Sequence, residues 1–131
     1  MKGTYILVIY LNTDSKISIG SLGSIQFKKG YYYYIGSAMA NKASSTLLNR
    51  LKRHIKAPEN KKNHWHIDYL LQDQNAYLIE IRLIPATWRF ECIIAEEVLG
   101  QSDNYVENFG SSDCKCKSHL LYCENYKKKN Y

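Results

Sequence analysis

Residues 3–11 read GTYILVIYL, an unbroken run of β-branched, aromatic and aliphatic side chains. Such a run predicts a β-strand. A second aromatic run, YYYYIG at residues 31–36, predicts another strand that ends at a glycine. Between them, apolar residues around Ile17 and Phe27 alternate with polar ones and predict two short strands. The first third of the chain is therefore predicted to form a small antiparallel meander.

Helices are predicted further along the chain. The first is expected around residues 47–55, the second over HWHIDYLLQ at 64–72, and the third over about 90–99. The apolar residues that recur at helical spacing in the first and third are Leu47, Leu48, Leu51 and Ile55, and Phe90, Ile93, Ile94 and Val98.

Two more strands complete the predicted fold. One covers residues 76–84 and ends at Pro85, and the other, residues 119–123, is expected at the edge of the sheet. This order predicts an α+β fold, a small and mostly antiparallel central sheet flanked by helices. We find no repeat or linker, so residues 1–131 are interpreted as a single domain with a charged tail at Lys127–Lys129.

The composition narrows the class of protein. Hydrophobic residues make up 45% and charged residues 23%, which excludes global disorder. The longest apolar run, residues 5–11, is far shorter than the roughly 20 residues of a membrane helix. No secretory signal is recognisable, so we expect a cytoplasmic protein with no membrane partner.

The charge favours a polyanionic partner. Lys and Arg total 18 against 12 for Asp and Glu, a formal net charge of +6. Nucleic acid is the usual partner of such a chain and an anionic membrane surface the second. Many soluble proteins are basic without binding a polyanion, so the charge alone does not establish such a partner.

The first predicted helix carries a phosphate-binding pattern. Arg50 and His54 are four residues apart and share a helix face. A guanidinium matches phosphate oxygens and stays charged in a pocket. Lys52, Arg53 and Lys56 add positive charge for contacts with nucleic acid. A solvated basic helix face would look the same in sequence.

Two tyrosines and one carboxylate complete the set. Tyr5 begins the first strand and Tyr34 ends the third, so antiparallel pairing would bring their phenols together. A tyrosine can orient or deprotonate water when a cation assists it. Glu91 opens the third helix, and a single carboxylate is enough to hold Mg²⁺ beside phosphate. A favourable charge at a helix N-terminus is the plainer explanation.

These residues occur in the order of a known nuclease motif. Gly3-Thr4-Tyr5, Tyr34-Ile35-Gly36, the helix segment Arg50–His54 and then Glu91 follow one another along the chain. The sequence resembles the GIY-YIG nuclease superfamily, and within it the small stand-alone Uri-type branch. The core of the resemblance covers about residues 3–100, and residues 101–131 form a branch-specific extension with the basic tail.

The resemblance implies a divalent-metal-dependent DNA endonuclease. Tyr5 and Tyr34 would activate the attacking water, with the choice of general base left open. Arg50 would stabilise charge on the phosphoryl group, His54 would carry a proton or bind phosphate, and Glu91 would hold one Mg²⁺ or Mn²⁺ ion. Branched, damaged or single-stranded DNA would be the substrate, in repair or in defence against mobile elements.

The sequence departs from the family pattern in three ways. Thr4 replaces the family's isoleucine, and residues 12–30 form a long insert between the two motif halves. We recognise no separate DNA-binding domain of the kind that the family often carries within residues 1–131, so we expect that a protein partner could supply substrate choice. A non-catalytic nucleic-acid-binding module with a vestigial site is the alternative. The oligomeric state stays open.

A second site is suggested by clustered ligand-type residues. Cys114, Cys116 and His119 lie within six residues, and structural zinc would suit such a set. The candidates for a fourth ligand are His64, His66, Cys92 and Cys123. Alternatively the cysteines are reduced and buried, or His66 and Asp68 lie beside the active site and tune it.

Overall fold

The computed structural model describes residues 2–38, 47–55, 65–86, 88, 90–111 and 116–126, and for residues 47–50 only the backbone. The strands are β1 (Gly3–Leu11), β2 (Ser15–Ser18), β3 (Ser24–Phe27), β4 (Gly30–Ala38), β5 (Ala76–Pro85), β6 (Asn104–Tyr105) and β7 (Leu120–Cys123). The helices are α1 (Leu47–His54), α2 (His66–Leu71) and α3 (Glu91–Gly100), with a short 3₁₀ turn at Gly20–Leu22. None of these helices is long and apolar enough to cross a membrane.

The predicted α+β class is confirmed. Five antiparallel strands form the central sheet in the order β5-β1-β4-β7-β6. Strand β1 lies inside this sheet, and eight of its nine residues are buried. Its apolar sequence follows from this position, because both of its faces are covered.

The predicted meander is wrong in one respect. Strands β2 and β3 pair with each other as a separate two-stranded sheet. The physical reason is that β4 and β5 occupy the two hydrogen-bonding edges of β1, and β1 and β7 occupy those of β4. The hairpin therefore packs through Ile17 and Phe27 on the core instead of extending the sheet.

The central sheet has two covered faces. The first face carries alternate β1 residues such as Tyr5 and Leu7 in one apolar cluster with Leu51 of α1 and Ile67 of α2. The second face carries Ile6 and Val8 of β1 in a cluster with Ala95 and Val98 of α3. Helices α1 and α2 thus cover one face of the sheet and α3 the other.

The helix faces differ from the prediction at two residues. Ile55 is 61% exposed, whereas His54 is buried. Helix α1 ends at His54, so the imidazole and Leu51 face the sheet instead of Ile55. Ile93 is also exposed, because α3 packs through Ala95 and Val98. Leu47 and Leu48 have side chains outside the described residues.

The edges of the sheet also differ from the prediction. Strand β7 is not an edge strand, because the two-residue strand β6 pairs with its outer side. The other edge is β5, whose alternate apolar residues lie at the surface. The exposed side chains in this row are Tyr77, Ile79, Ile81 and Leu83.

Candidate functional site

A buried hydrogen bond joins the first strand to the first helix. The Tyr5 hydroxyl and Nε2 of His54 lie 2.7 Å apart, and both side chains are buried. The tautomer of the imidazole decides which of the two groups donates. The ring of Tyr34 lies 6.5 Å from that of Tyr5 and 6.4 Å from that of His54. The predicted convergence of the two phenols is confirmed, and we call Tyr5, Tyr34 and His54 the tyrosine–histidine group.

Gly36 allows this arrangement. Tyr5 lies opposite Gly36 in the pairing of β1 with β4, and its ring crosses directly over the glycine. A Cβ atom at Gly36 would overlap that ring. The glycine that ends the second half of the motif therefore makes room for the tyrosine of the first half.

An ion pair fixes α1 against α2 next to this group. Arg53 Nη2 lies 2.8 Å from Oδ2 of Asp68, and the Asp68 side chain is fully buried. The same oxygen accepts a hydrogen bond from the backbone N–H of Trp65 at the start of α2. The Arg53 guanidinium also stacks on Trp65, whose ring lies 6.0 Å from that of His54. Arg53 and Asp68 thus join two helices around His54.

The predicted phosphate-binding residues are described only in part. Arg50 lies in α1 one turn before His54, and its side chain is outside the described residues. Lys52 is exposed on the same helix. Lys56 lies outside the described residues. Of the three cations predicted to contact nucleic acid, the structure therefore describes two: the exposed Lys52 and the partly exposed Arg53.

His66 makes a contact that the sequence did not indicate, and it is not a member of the candidate metal-binding group. Its Nδ1 accepts a hydrogen bond of 3.0 Å from the backbone N–H of Gly110. Burial holds the pKa of His66 below its ordinary value, so the neutral ring has the lone pair that this bond requires. The ring packs edge-on against Phe109. His66 therefore fastens α2 to the loop before β7, while His64 lies outside the described residues.

Three ligand-type side chains come together at the other end of this loop. The ligand atoms of Cys92, Cys116 and His119 all lie within 4.8 Å of one another. Cys92 Sγ lies 3.8 Å from His119 Nε2, and Glu91 Oε2 lies 3.9 Å from His119 Nδ1. We call Cys92, Cys116 and His119 the thiol–imidazole group.

The residues of this group differ in part from those predicted for the second site. Cys116 and His119 belong to it as expected, and Cys114 lies outside the described residues. Cys92 of α3, one of the several predicted candidates for a further ligand, also belongs to it. Asp68 and His66 contact other partners, and Cys123 lies in the apolar cluster on the second face.

The two groups approach each other around Gly110. A Cβ atom there would lie 3.1 Å from the Tyr34 ring and 3.4 Å from the Cβ of His119. The backbone at Gly110 has φ +68°, which favours glycine. Tyr5 and Tyr34 belong to the apolar cluster on the first face, while Glu91 of α3 lies 3.9 Å from His119.

The arrangement offers two kinds of chemistry. The phenol of Tyr5, hydrogen-bonded to the imidazole of His54, can take part in proton transfer, and the carboxylate of Glu91 can hold a hard cation. Two thiols and an imidazole suit a softer metal. Sequence reasoning missed Trp65, which packs near His54, and Phe109, which packs against His66.

The fold and this pair of groups define a small α+β protein with ligand-type residues at one end of its sheet. A family model described as a domain of unknown function, DUF123, matches residues 4–131. The chain belongs to this family. No curated protein and no solved structure matches this chain.

Proposed function

We propose that the protein is a GIY-YIG nuclease of the Uri type, a divalent-metal-dependent DNA endonuclease. Its substrate would be branched, damaged or single-stranded DNA. The observation that supports this proposal is the buried hydrogen bond of 2.7 Å between Tyr5 and His54, beside Tyr34. Three elements distant in sequence thus bring together Tyr5, Tyr34 and His54, three of the residues to which the resemblance assigns a role.

The proposed chemistry is a proton transfer to an activated tyrosine. His54 takes the phenolic proton of Tyr5, and the phenolate then accepts a proton from water. Tyr34 orients that water for attack on phosphorus. The bond from phosphorus to the leaving oxygen breaks, and the leaving oxygen takes a proton from solvent. Two buried partners suit this role, because a fixed pair loses little entropy on reaction.

Glu91 is suited to holding the divalent ion. Its carboxylate is a hard oxygen donor whose side chain is 12% exposed in the first turn of α3. Mg²⁺ and Mn²⁺ need few protein ligands because phosphate and water supply the others. The ion supplies charge neutralisation at the phosphodiester when bound.

Basic residues would hold the DNA backbone. Lys52 is exposed on α1, the helix that also carries His54, and the whole chain has a net charge of +6. Arg50 of the same helix would stabilise charge on the phosphoryl group. Binding should therefore weaken steeply as the salt concentration rises.

The test is cleavage of labelled single-stranded, duplex, flap and forked DNA with Mg²⁺ or Mn²⁺. We expect metal-dependent cutting that falls by about 100-fold or more in Glu91→Gln. The variant should bind DNA as well as the wild type or more tightly, because a negative charge near phosphate is removed. Glu97→Gln is the matched control, since Glu97 is exposed on the same helix and should cut normally.

Two results would overturn the proposal. Cutting that is unchanged in Glu91→Gln would remove Glu91 from the site. Salt-sensitive binding with no cutting on any substrate would instead favour the non-catalytic nucleic-acid-binding module.

A further inference from the structure

We propose that Cys92, Cys116 and His119 form a zinc-binding site, and that Glu91 orients its histidine. The three residues come from separate parts of the fold: Cys92 from the first turn of α3, Cys116 from the loop before β7, and His119 from the residue next to β7. This inference does not depend on nuclease activity.

The spacing of the ligand atoms fits a tetrahedral ion. Zinc bonds of about 2.3 Å to sulfur and about 2.0 Å to nitrogen place neighbouring ligands about 3.5–3.8 Å apart. Cys92 Sγ and His119 Nε2 are 3.8 Å apart, and all three ligand atoms lie within 4.8 Å. Small side-chain rotations would therefore complete the site without movement of the backbone.

The chemistry of the donors selects a soft or borderline metal. Thiolates with an imidazole favour zinc over Mg²⁺, which prefers oxygen ligands. The described residues provide three protein ligands, which leaves one coordination position for water or another donor. The site is therefore distinct in kind from the hard-cation site proposed at Glu91.

His119 is held rigidly for this role. Its backbone N–H donates to the carbonyl of Phe109 at 2.8 Å, and its carbonyl accepts from the N–H of Ile35 at 2.9 Å. The side chain is 2% exposed. A ligand fixed on both sides by backbone hydrogen bonds is preorganised, so zinc binding loses little conformational entropy.

Glu91 faces the opposite edge of the same ring. Its Oε2 lies 3.9 Å from Nδ1 of His119, while Nε2 faces Cys92. When Nε2 binds zinc, Nδ1 carries the proton and can donate it to the carboxylate. Such outer partners fix the tautomer and strengthen metal binding.

The first test measures zinc in the purified full-length protein by mass spectrometry of the metal. We expect about one zinc per chain, and less than about a tenth of that in Cys92→Ser and Cys116→Ser. Cys123→Ala is the matched control and should keep its zinc, since Cys123 lies in the apolar cluster on the second face. Co²⁺ in place of zinc should give a thiolate charge-transfer band that the two serine variants lose.

A second measurement covers the case in which the serine variants do not fold. Alkylation of Cys92 in wild-type protein that a chelator has stripped of metal, followed by peptide mass spectrometry, should slow by about tenfold or more when zinc is added back. A chelator should restore the rate. Glu91→Gln should weaken zinc affinity by about 10–100-fold.

Three outcomes would overturn the zinc site. These are a wild-type protein that neither contains nor takes up zinc, a Co²⁺ complex without thiolate absorption, and alkylation of Cys92 that ignores zinc. All three measurements are made without DNA, so their results do not depend on whether the protein is a nuclease.

Discussion

The two groups at the end of the sheet are built differently. In the tyrosine–histidine group and its supports, polar atoms meet directly, at 2.7 Å between Tyr5 and His54 and 2.8 Å between Arg53 and Asp68. In the thiol–imidazole group, Cys92 Sγ lies 3.8 Å from His119 Nε2, and all three ligand atoms lie within 4.8 Å of one another. Direct contact suits proton transfer, whereas the wider spacing leaves room for an ion between the ligand atoms.

The two groups also depend on different contacts with the rest of the molecule. The tyrosine–histidine group is held by packing, because Gly36 lies under Tyr5 and α2 supports α1 through the Arg53–Asp68 ion pair. The thiol–imidazole group joins α3 to the start of β7 through ligand-type side chains. A substitution in the tyrosine–histidine group should therefore leave zinc binding at the thiol–imidazole group intact.

The largest expected effect is on catalysis. Tyr5→Phe removes the hydroxyl bonded to His54, and we expect cleavage to fall by about 100-fold or more. Zinc content should not change. The measurement is the single-turnover cleavage rate together with metal content.

Tyr32→Phe is the matched control for this change. Tyr32 is also buried on the first face, and its hydroxyl donates to the carbonyl of Lys28 at 2.6 Å. Both variants should lose about 1 kcal/mol of stability, but Tyr32→Phe should cut normally. Equal cleavage by the two variants would contradict the role given to Tyr5.

The next effect is on stability. Gly36→Ala places a methyl group into the ring of Tyr5, and we expect the free energy of unfolding to fall by about 1–3 kcal/mol. The control is Gly100→Ala at the end of α3, where nothing lies within 4 Å of the added Cβ. Its effect should stay within about 1 kcal/mol. Urea denaturation distinguishes the two, and equal midpoints would show that the ring does not need the space.

The smallest effect is on the pH dependence of stability. Burial lowers the pKa of His66 in the folded protein, so the unfolded chain binds more protons just below pH 6.5. This contribution to stability is fully present above that pH and is lost as the pH falls towards the folded pKa. Urea midpoints at about pH 7.5 and 5.5 should therefore differ more for the wild type than for His66→Gln. Equal pH slopes would contradict the neutral state of the half-buried His66.

Much of the fold could be predicted because the signals are local. The apolar run at residues 3–11 and the alternation at 76–84 identified β1 and β5 within one residue of their observed ends. The helix faces were harder. Periodicity placed Ile55 in the core, but α1 ends at His54, and the hydrogen bond to Tyr5 brings the imidazole inwards.

The candidate site was predicted where residues belong to a motif and missed where they do not. Tyr5, Tyr34 and His54 occur at recognisable spacing, and the structure brings them together. Cys92 was only one of four candidates for a further ligand, because the other two members of its group lie more than twenty residues further along the chain. Only the packing of α3 on the sheet places it beside His119.

The sequence by itself determined every described strand except β6, the α+β class, the convergence of the two tyrosines and the basic charge. These follow from side-chain patterns along the chain and from simple pairing. The tertiary structure alone decided the strand order β5-β1-β4-β7-β6, the inward turn of His54 and the membership of the thiol–imidazole group. These depend on which hydrogen-bonding edges and faces are already occupied. That is a property of contacts between distant residues, which no local pattern records.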